Sequence, residues 1–580
     1  LRELFRTNAS ASSERRLIPN RWDLFAILFV FSLLVLLAMA AKQMSVPYQL
    51  GEPIVISLSP SHLPSYALQS VLRMFIALFF SLLFTFTVGT LAAKNKHAEK
   101  VLVPLLDILQ SIPVMGFLSI TVVGFIDLFP GSLWGAQCAA IFAIFTAQVW
   151  NMVFSFYQSM RTLPTELRET ADMFHLSAWQ RFWRVEVPFA MPGLLWNTML
   201  SMSGSWFFVV ASEAVTVSNQ TITLPGIGSY IAVAIQQRNL HAILLTILVM
   251  FTVILLYDQL LFRPLIKLSE RFRIEQSTVA QTKNSWVGNL FHRTFLMKYV
   301  GIFLSYLGDK WINIKVFRSK PVRYQKANTR KWNRLILGLW YVALFFILSY
   351  AVYFLWCFVF SVTALSEIGM VFKLGLFTAC RVFAIVLIST LVWVPLGVWI
   401  GLRSRIADIV QPVAQFLAAF PANLLFPFIV LLIVHFNLNV NIWTTPLMLL
   451  GTQWYILFNV IAGASALPKD LRQATDNLGV KGWLWWRRLI LPGIFPYYVT
   501  GAITAAGNAW NTSTVAEVVT WGNTTLHAEG LGAFIMKYSA EGNFPMLALG
   551  IGVMALFVVT FNRILWRPLY NLAQRKYQLD

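Results

Sequence analysis

Charge is scarce in this chain. Only 12% of its 580 residues are Asp, Glu, Lys or Arg, against 58% hydrophobic. A soluble chain of this length carries about twice that share of charge, so a soluble globular class is excluded. Cysteine is scarcer still. Cys138, Cys357 and Cys380 all fall inside apolar runs, which excludes a disulfide framework and a cysteine-based zinc site. The seven histidines are scattered, with no HxxxH pattern, so no metal site is expected. No Gly-Lys dipeptide occurs anywhere. That excludes a phosphate loop of the GxxxxGK[ST] type, and with it a standard ATPase site in this chain. No catalytic constellation appears at the ends of the apolar runs, so a membrane-embedded enzyme is a poor fit and no catalytic residue is assigned.

Long apolar runs are what the chain does have. LFAILFVFSLLVLLAMAA (24–41) is long enough to cross ~30 Å of hydrocarbon. A signal peptide is the competing reading of this run, and the many further runs that follow speak against it. About twelve spans are predicted. The first six lie near 24–41, 66–92, 101–127, 134–159, 189–215 and 241–262. The second six lie near 334–360, 372–402, 409–435, 442–464, 493–519 and 545–566. The net charge of +21 then reads as loop charge on one side of a bilayer, not as a nucleic-acid surface. Arg6, Arg15, Arg16 and Arg21 precede the first span, and Lys94, Lys96 and Lys100 follow the second. Loops 128–133 and 436–441 carry no Lys or Arg. Both termini are thus predicted cytoplasmic. A basic linker, 267–332, separates the two sets, and its aromatic middle (289–307) has the make-up of an interfacial helix.

The two sets are copies. Adding 304 carries Leu163-Pro164 onto Leu467-Pro468, Asp172 onto Asp476, Trp206 onto Trp510, and Gly226 and Gly228 onto Gly530 and Gly532. Upstream the shift is 308, which takes Arg73 to Arg381 and Pro113 to Pro421. The predicted fold is therefore all-α and polytopic, with residues 1–266 and 333–580 as two parallel six-helix repeats. A path between them would follow a symmetry axis along the membrane normal.

Each repeat carries one hydrophilic loop, 161–188 and 465–492. Leu163, Leu167, Thr170/Ala171 and Phe174 recur at helical spacing, as do Leu467, Leu471, Ala474/Thr475 and Leu478. Ser177 and Gln180 have capping-box spacing for a second short helix, which is expected to stop near Pro188 or Pro492. The predicted object is a bent pair of short amphipathic helices on the cytoplasmic face.

This pattern resembles the EAA loop of bacterial binding-protein-dependent ABC importer permeases: EAA, three residues, Gly, nine residues, Ile-x-Leu-Pro. Here Glu169-Thr170-Ala171 leads to His175 at the glycine position and then to Val185-x-Val187-Pro188. In the second copy Gln473-Ala474-Thr475 leads to Gly479 and Leu489-x-Leu491-Pro492. The arginines of the second spans and the Trp-to-Glu spacing of the fifth look like the nitrate/sulfonate/taurine branch. The resemblance implies a fused permease of type I ABC importer fold in a bacterial inner membrane. It implies an ATP-driven importer of a small anionic solute. The coupling residues would be Leu167, Glu169, Thr170, Ala171, Asp172 and His175, with Leu471, Gln473, Ala474, Thr475, Asp476 and Gly479. Two cytoplasmic ATP-binding subunits would hold ATP and Mg²⁺, this chain binding no cofactor itself. A separate extracytoplasmic binding protein would dock on the outer loops 42–65, 216–240 and 520–544.

Arg73 and Glu213, and likewise Arg381 and Glu517, fall at similar depth in their spans. Isolated charges there cost roughly 2.5 to 3.5 kcal/mol each, so two pairs within the halves are expected. A charge swap within a pair is then expected to rescue either single change. Two rivals remain at this point. The arginines attract an anion at the outer mouth, or Glu213 and Glu517 carry protons in a secondary transporter. Gln110, Ser205, Gln415, Asn508 and Asn511 are candidate pathway residues, with helix–helix hydrogen bonds as their plainer role.

Overall fold

The computed structural model describes residues 54–217, 220–262, 306–313, 365–522 and 524–576, with isolated positions between them. All but two residues of the first expected span (24–41), most of the seventh (334–360) and all but three residues of the interfacial helix expected at 289–307 lie outside the described residues.

The first half begins with α1 (Leu63–Phe84), which runs on through a π turn to Lys94. Then come α2 (Lys96–Ser111), α3 (Val114–Leu128), α4 (Trp134–Arg161), α5 (Thr165–Met173) and α6 (Val187–Ser212). A hairpin of β1 (Ala214–Val217) and β2 (Gln220–Thr223) leads to α7 (Ile227–Gln236) and α8 (Leu240–Tyr257). The second half repeats the order. It has α9 (Leu365–Gly401), α10 (Ser404–Ala419), α11 (Phe426–His435), α12 (Val440–Thr452), α13 (Trp454–Ser465), α14 (Lys469–Asn477) and α15 (Leu491–Ala516). Hairpin β3 (Val518–Trp521) and β4 (Thr524–His527), α16 (Leu531–Glu541), α17 (Phe544–Phe561) and α18 (Arg567–Lys576) complete it. Both hairpins are antiparallel, with Ala214 opposite Thr223 and Val518 opposite His527.

Among the described residues seven helices are long and apolar enough to cross a membrane, and three bent pairs raise this to as many as ten. The bends correct three of the expected straight spans. The third span breaks by 99° between α2 and α3, and its counterpart breaks by 83° between Ala419 and Ala422. Proline is the cause in both. Pro113 and Pro421 hold Ile112 and Phe420 at ψ 127°, outside the helical region. The pair α12 and α13 bends by 45°.

A second correction concerns Pro188 and Pro492. The chain does not stop there. A continuous helical path runs from Ala178 to Ser212 and from Gly482 to Ala516. π turns at Phe182–Glu186 and Trp486–Ile490 precede the two prolines. The wider turn opens the carbonyl ring that a pyrrolidine would otherwise strike.

The halves share one core. Met199, Trp206 and Val210 of the first belong to the same buried cluster as Ala422, Leu424 and Leu531 of the second. Helix α3 packs on α15, α16 and α17, while α10 packs on α6 and α8. Across this seam Val114 N donates to Asn511 Oδ1 at 2.9 Å and Gly522 N donates to Ile235 O at 3.1 Å. The Phe251 and Phe416 rings meet at 4.5 Å.

Candidate functional site

Helix α1 brings Arg73 to the end of α6, where Glu213 sits just ahead of β1. The side chains are fully buried and Arg73 Nη1 lies 2.5 Å from Glu213 Oε1. Ser70 Oγ, one turn from Arg73, donates to the same oxygen at 2.5 Å. Gly228 N donates to Oε2 at 2.6 Å. The carboxylate thus caps the N-terminus of α7, where free N–H groups and the helix dipole favour a negative charge. The other two guanidinium nitrogens donate to Gln137 Oε1 (2.6 Å) and Pro225 O (2.7 Å).

The second half builds the same object. Arg381 Nη1 meets Glu517 Oε1 at 2.8 Å, Thr378 Oγ1 donates to that oxygen at 2.8 Å, and Gly532 N donates to Oε2 at 2.8 Å. Arg381 also donates to Asn441 O and Glu529 O, each at 3.0 Å. Both clusters need glycine beside the carboxylate. A Cβ on Gly226 or Gly530 would collide with the Glu213 or Glu517 carboxyl, and one on Gly228 with the Val210 carbonyl.

This geometry argues against rescue by a charge swap. A guanidinium at position 213 would face Gly228 N–H, donor against donor, at the positive end of α7, and it would have no room beside Gly226. The sequence reading also missed four members: Ser70 and Thr378, Gln137 and Asn441. A signal was present, since the 308 and 304 shifts pair them, polar with polar.

The hydrophilic loops form the second site. Helix α5 follows Pro164 and α14 follows Pro468. Each ends in a turn with two reversed hydrogen bonds. Leu176 N donates to Ala171 O (3.1 Å) and His175 N to Asp172 O (3.0 Å); Val480 N donates to Thr475 O (3.0 Å) and Gly479 N to Asp476 O (3.1 Å). This is the Schellman arrangement, which places the residue after the cap in the left-handed region. Gly479 has φ +65° and His175 has φ +49°. The histidine therefore adopts the glycine conformation. Ser177 and Gln180 make the reciprocal capping box that their spacing indicates.

The expected apolar stripe is only partly covered. Leu163 and Ala171 are buried and Leu167 is half-buried, yet Phe174 at the tip is 74% exposed. In the second loop Leu467 is buried, Thr475 is half-buried, and Leu471, Ala474 and Leu478 are exposed. Glu169, Thr170, Asp172 and His175 face solvent, as do Gln473, Asp476 and Gly479.

The five pathway candidates differ in exposure and partners. Ser205 is fully buried and donates to Ser201 O within its own helix. Gln110 is exposed at the end of α2. Asn508 donates to Gly451 O inside the second half. Asn511 and Gln415 lie on the seam between halves, Asn511 against Val114 and Gln415 Nε2 against Met199 Sδ at 2.7 Å.

Two helical repeats, each with a buried Arg–Glu cap and a helical loop, define a duplicated membrane protein. Residues 85–263 and 393–564, together more than half the chain, match the family described as binding-protein-dependent transport system inner membrane component; the chain belongs to that family. It is 27% identical over 173 residues to the bicarbonate transport system permease protein of Synechococcus elongatus, covering 30% of this chain and 58% of that protein. It is 26% identical over 171 residues to the nitrate import permease protein of Synechocystis, covering 30% and 57%. It is 32% identical over 120 residues to the glycine betaine/carnitine transport permease protein of Listeria monocytogenes, covering 20% and 39%. The chain thus spans less than two thirds of the length of these relatives.

Proposed function

We propose that this chain supplies both membrane halves of an ATP-driven importer and passes a small anion between them by alternating access. The observation that carries this reading is the repeated loop. Each copy is a short helix closed by a Schellman turn, with an exposed apolar tip (Phe174, Leu478). A protruding helix with an apolar end fits a groove on another protein. Two loops in one chain call for two ATP-binding subunits, which hold the ATP and Mg²⁺. In this reading the loops and both termini are cytoplasmic, and a separate binding protein delivers solute to the opposite face. The anion class is supported by the bicarbonate and nitrate relatives.

The buried carboxylates serve the frame in this reading. Glu213 and Glu517 each accept from an arginine, a hydroxyl and a helix N–H. Those contacts tie each carboxylate to two helices of its own half. The test is native mass spectrometry of the complex withdrawn from its host by a tag on this chain, followed by uptake of labelled nitrate and bicarbonate in vesicles. One copy of this chain with two ATP-binding subunits, and uptake that stops without ATP, is the expected result. A chain that emerges alone, with uptake surviving ATP depletion, would overturn the reading.

A further inference from the structure

Among the described residues, the segment between the repeats touches the first loop. Residues 306–312 are helical. Trp311 lies on Trp179 with ring centroids 6.0 Å apart, and its carbonyl accepts from the Trp179 indole N–H at 3.3 Å. Asn313 Oδ1 accepts from Gln180 Nε2 at 3.0 Å and from Arg184 Nη2 at 3.4 Å. Trp179, Gln180 and Arg184 belong to the helical stretch on which α5 is mounted.

That stretch is tied in both directions. Trp179 packs against Phe182 and Trp183, and Phe182 packs against the buried Phe156. Arg181 reaches back to Asp172 of α5 at 3.3 Å and down to Glu186 at 3.3 Å, and Glu186 meets Lys94 at 2.7 Å. A load on α5 therefore reaches both the bundle and the linker through side chains in contact. The linker is covalently continuous with the second half.

The second loop is wired differently. Register places Trp485, Ile490 and Leu402 where the first has Arg181, Glu186 and Lys94. Its Trp483, the counterpart of Trp179, is 72% exposed, and Leu484, the counterpart of Gln180, is 51% exposed.

We propose that residues 306–313 are a brace belonging to the first loop alone, forming with α5 a docking surface that the second loop does not offer. The two ATP-binding subunits then meet unlike surfaces. One meets α5 backed by the linker helix and an ion-pair chain; the other meets α14 beside the bare Trp483 and Leu484. This rests on the coupling reading above.

The test uses the whole complex, with its own ATP-binding subunits and binding protein, in lipid nanodiscs. One loop tip at a time is disabled with Phe174→Asp or Leu478→Asp, both exposed positions that leave the core untouched. The brace is then removed with Trp311→Ala plus Asn313→Ala, and MgATP turnover and ATP-binding subunit copy number are read. With Leu478→Asp, where only the first loop works, brace removal lowers turnover about fivefold, the scale of one lost aromatic pair, or sheds a subunit. With Phe174→Asp it has no further effect. An equal fall in both backgrounds, or no change in either, overturns the brace. If the unaltered chain carries no ATP-binding subunit at all, the coupling reading itself fails, by a measurement made before any variant.

Discussion

Glu213→Gln is the sharpest probe of the intramembrane clusters, because it keeps the shape and removes the charge. Arg73 is fully buried and retains only Gln137 Oε1 and Pro225 O as undisturbed acceptors. Removing one partner of a buried pair costs about 3 to 5 kcal/mol. A further clash follows from the geometry. Oε1 accepts from Ser70 and Arg73 while Oε2 accepts from Gly228. An amide has one acceptor, so either way round its NH₂ faces a donor, adding about 1 to 3 kcal/mol. The double variant Arg73→Met plus Glu213→Gln removes the stranded cation and should be milder than Glu213→Gln alone. The assay is the temperature at which half of the detergent-solubilised chain still elutes as a monodisperse peak. It is read as relative resistance, since unfolding of such a chain is irreversible. The single change should lower it by several degrees and the double by clearly less. A double variant at least as fragile as the single would refute the idea that the two charges compensate each other.

Four other outcomes follow from the same geometry. His175→Gly should stabilise the first loop by about 1 kcal/mol, because glycine carries no penalty at positive φ; slower hydrogen exchange across α5 would show it, and Gly479→Ala should speed exchange across α14. Gly228→Ala and Gly532→Ala should each abolish a folded permease, since a Cβ meets the Val210 or Ser513 carbonyl; measured yield of monodisperse protein checks this. Asn511→Ala should leave Val114 N–H without its acceptor and cost about 1 to 3 kcal/mol at the seam, read as a lower melting point. Glu186→Gln should loosen the first loop only, giving faster protease cleavage within 162–177 while cleavage within 466–481 is unchanged.

What the sequence discloses here is what repeats. The 304 and 308 registers locate both loops, Arg73 with Glu213, and Arg381 with Glu517. The capping box at Ser177 and Gln180 is local and legible for that reason. The two sharpest bends are proline effects and were readable in kind, yet the angle between α2 and α3 depends on packing far along the chain. The π turns before Pro188 and Pro492 were not legible, because nothing in local spacing separates a helix that ends at proline from one that widens to pass it. Ser70 and Gln137 were missed for a different reason. Alone, a serine or glutamine in an apolar span reads as a helix–helix contact, and only the fold shows that both converge on Arg73 and Glu213.

The two halves have diverged unevenly, and the solvent explains where. Inside the bundle every charge must find its partner within the same half, because no water substitutes for a lost one. Arg, Glu, the hydroxyl at 70 and 378 and the paired glycines therefore persist in both copies. At the loop end water satisfies any group left behind, and an exposed ion pair is worth little. The chain Asp172–Arg181–Glu186–Lys94 exists in one copy, while Trp485, Ile490 and Leu402 stand in its place in the other. The frame was held twofold symmetric by desolvation. The exposed loop surfaces were free to become different, and Trp311 lies on Trp179 while Trp483 stays exposed.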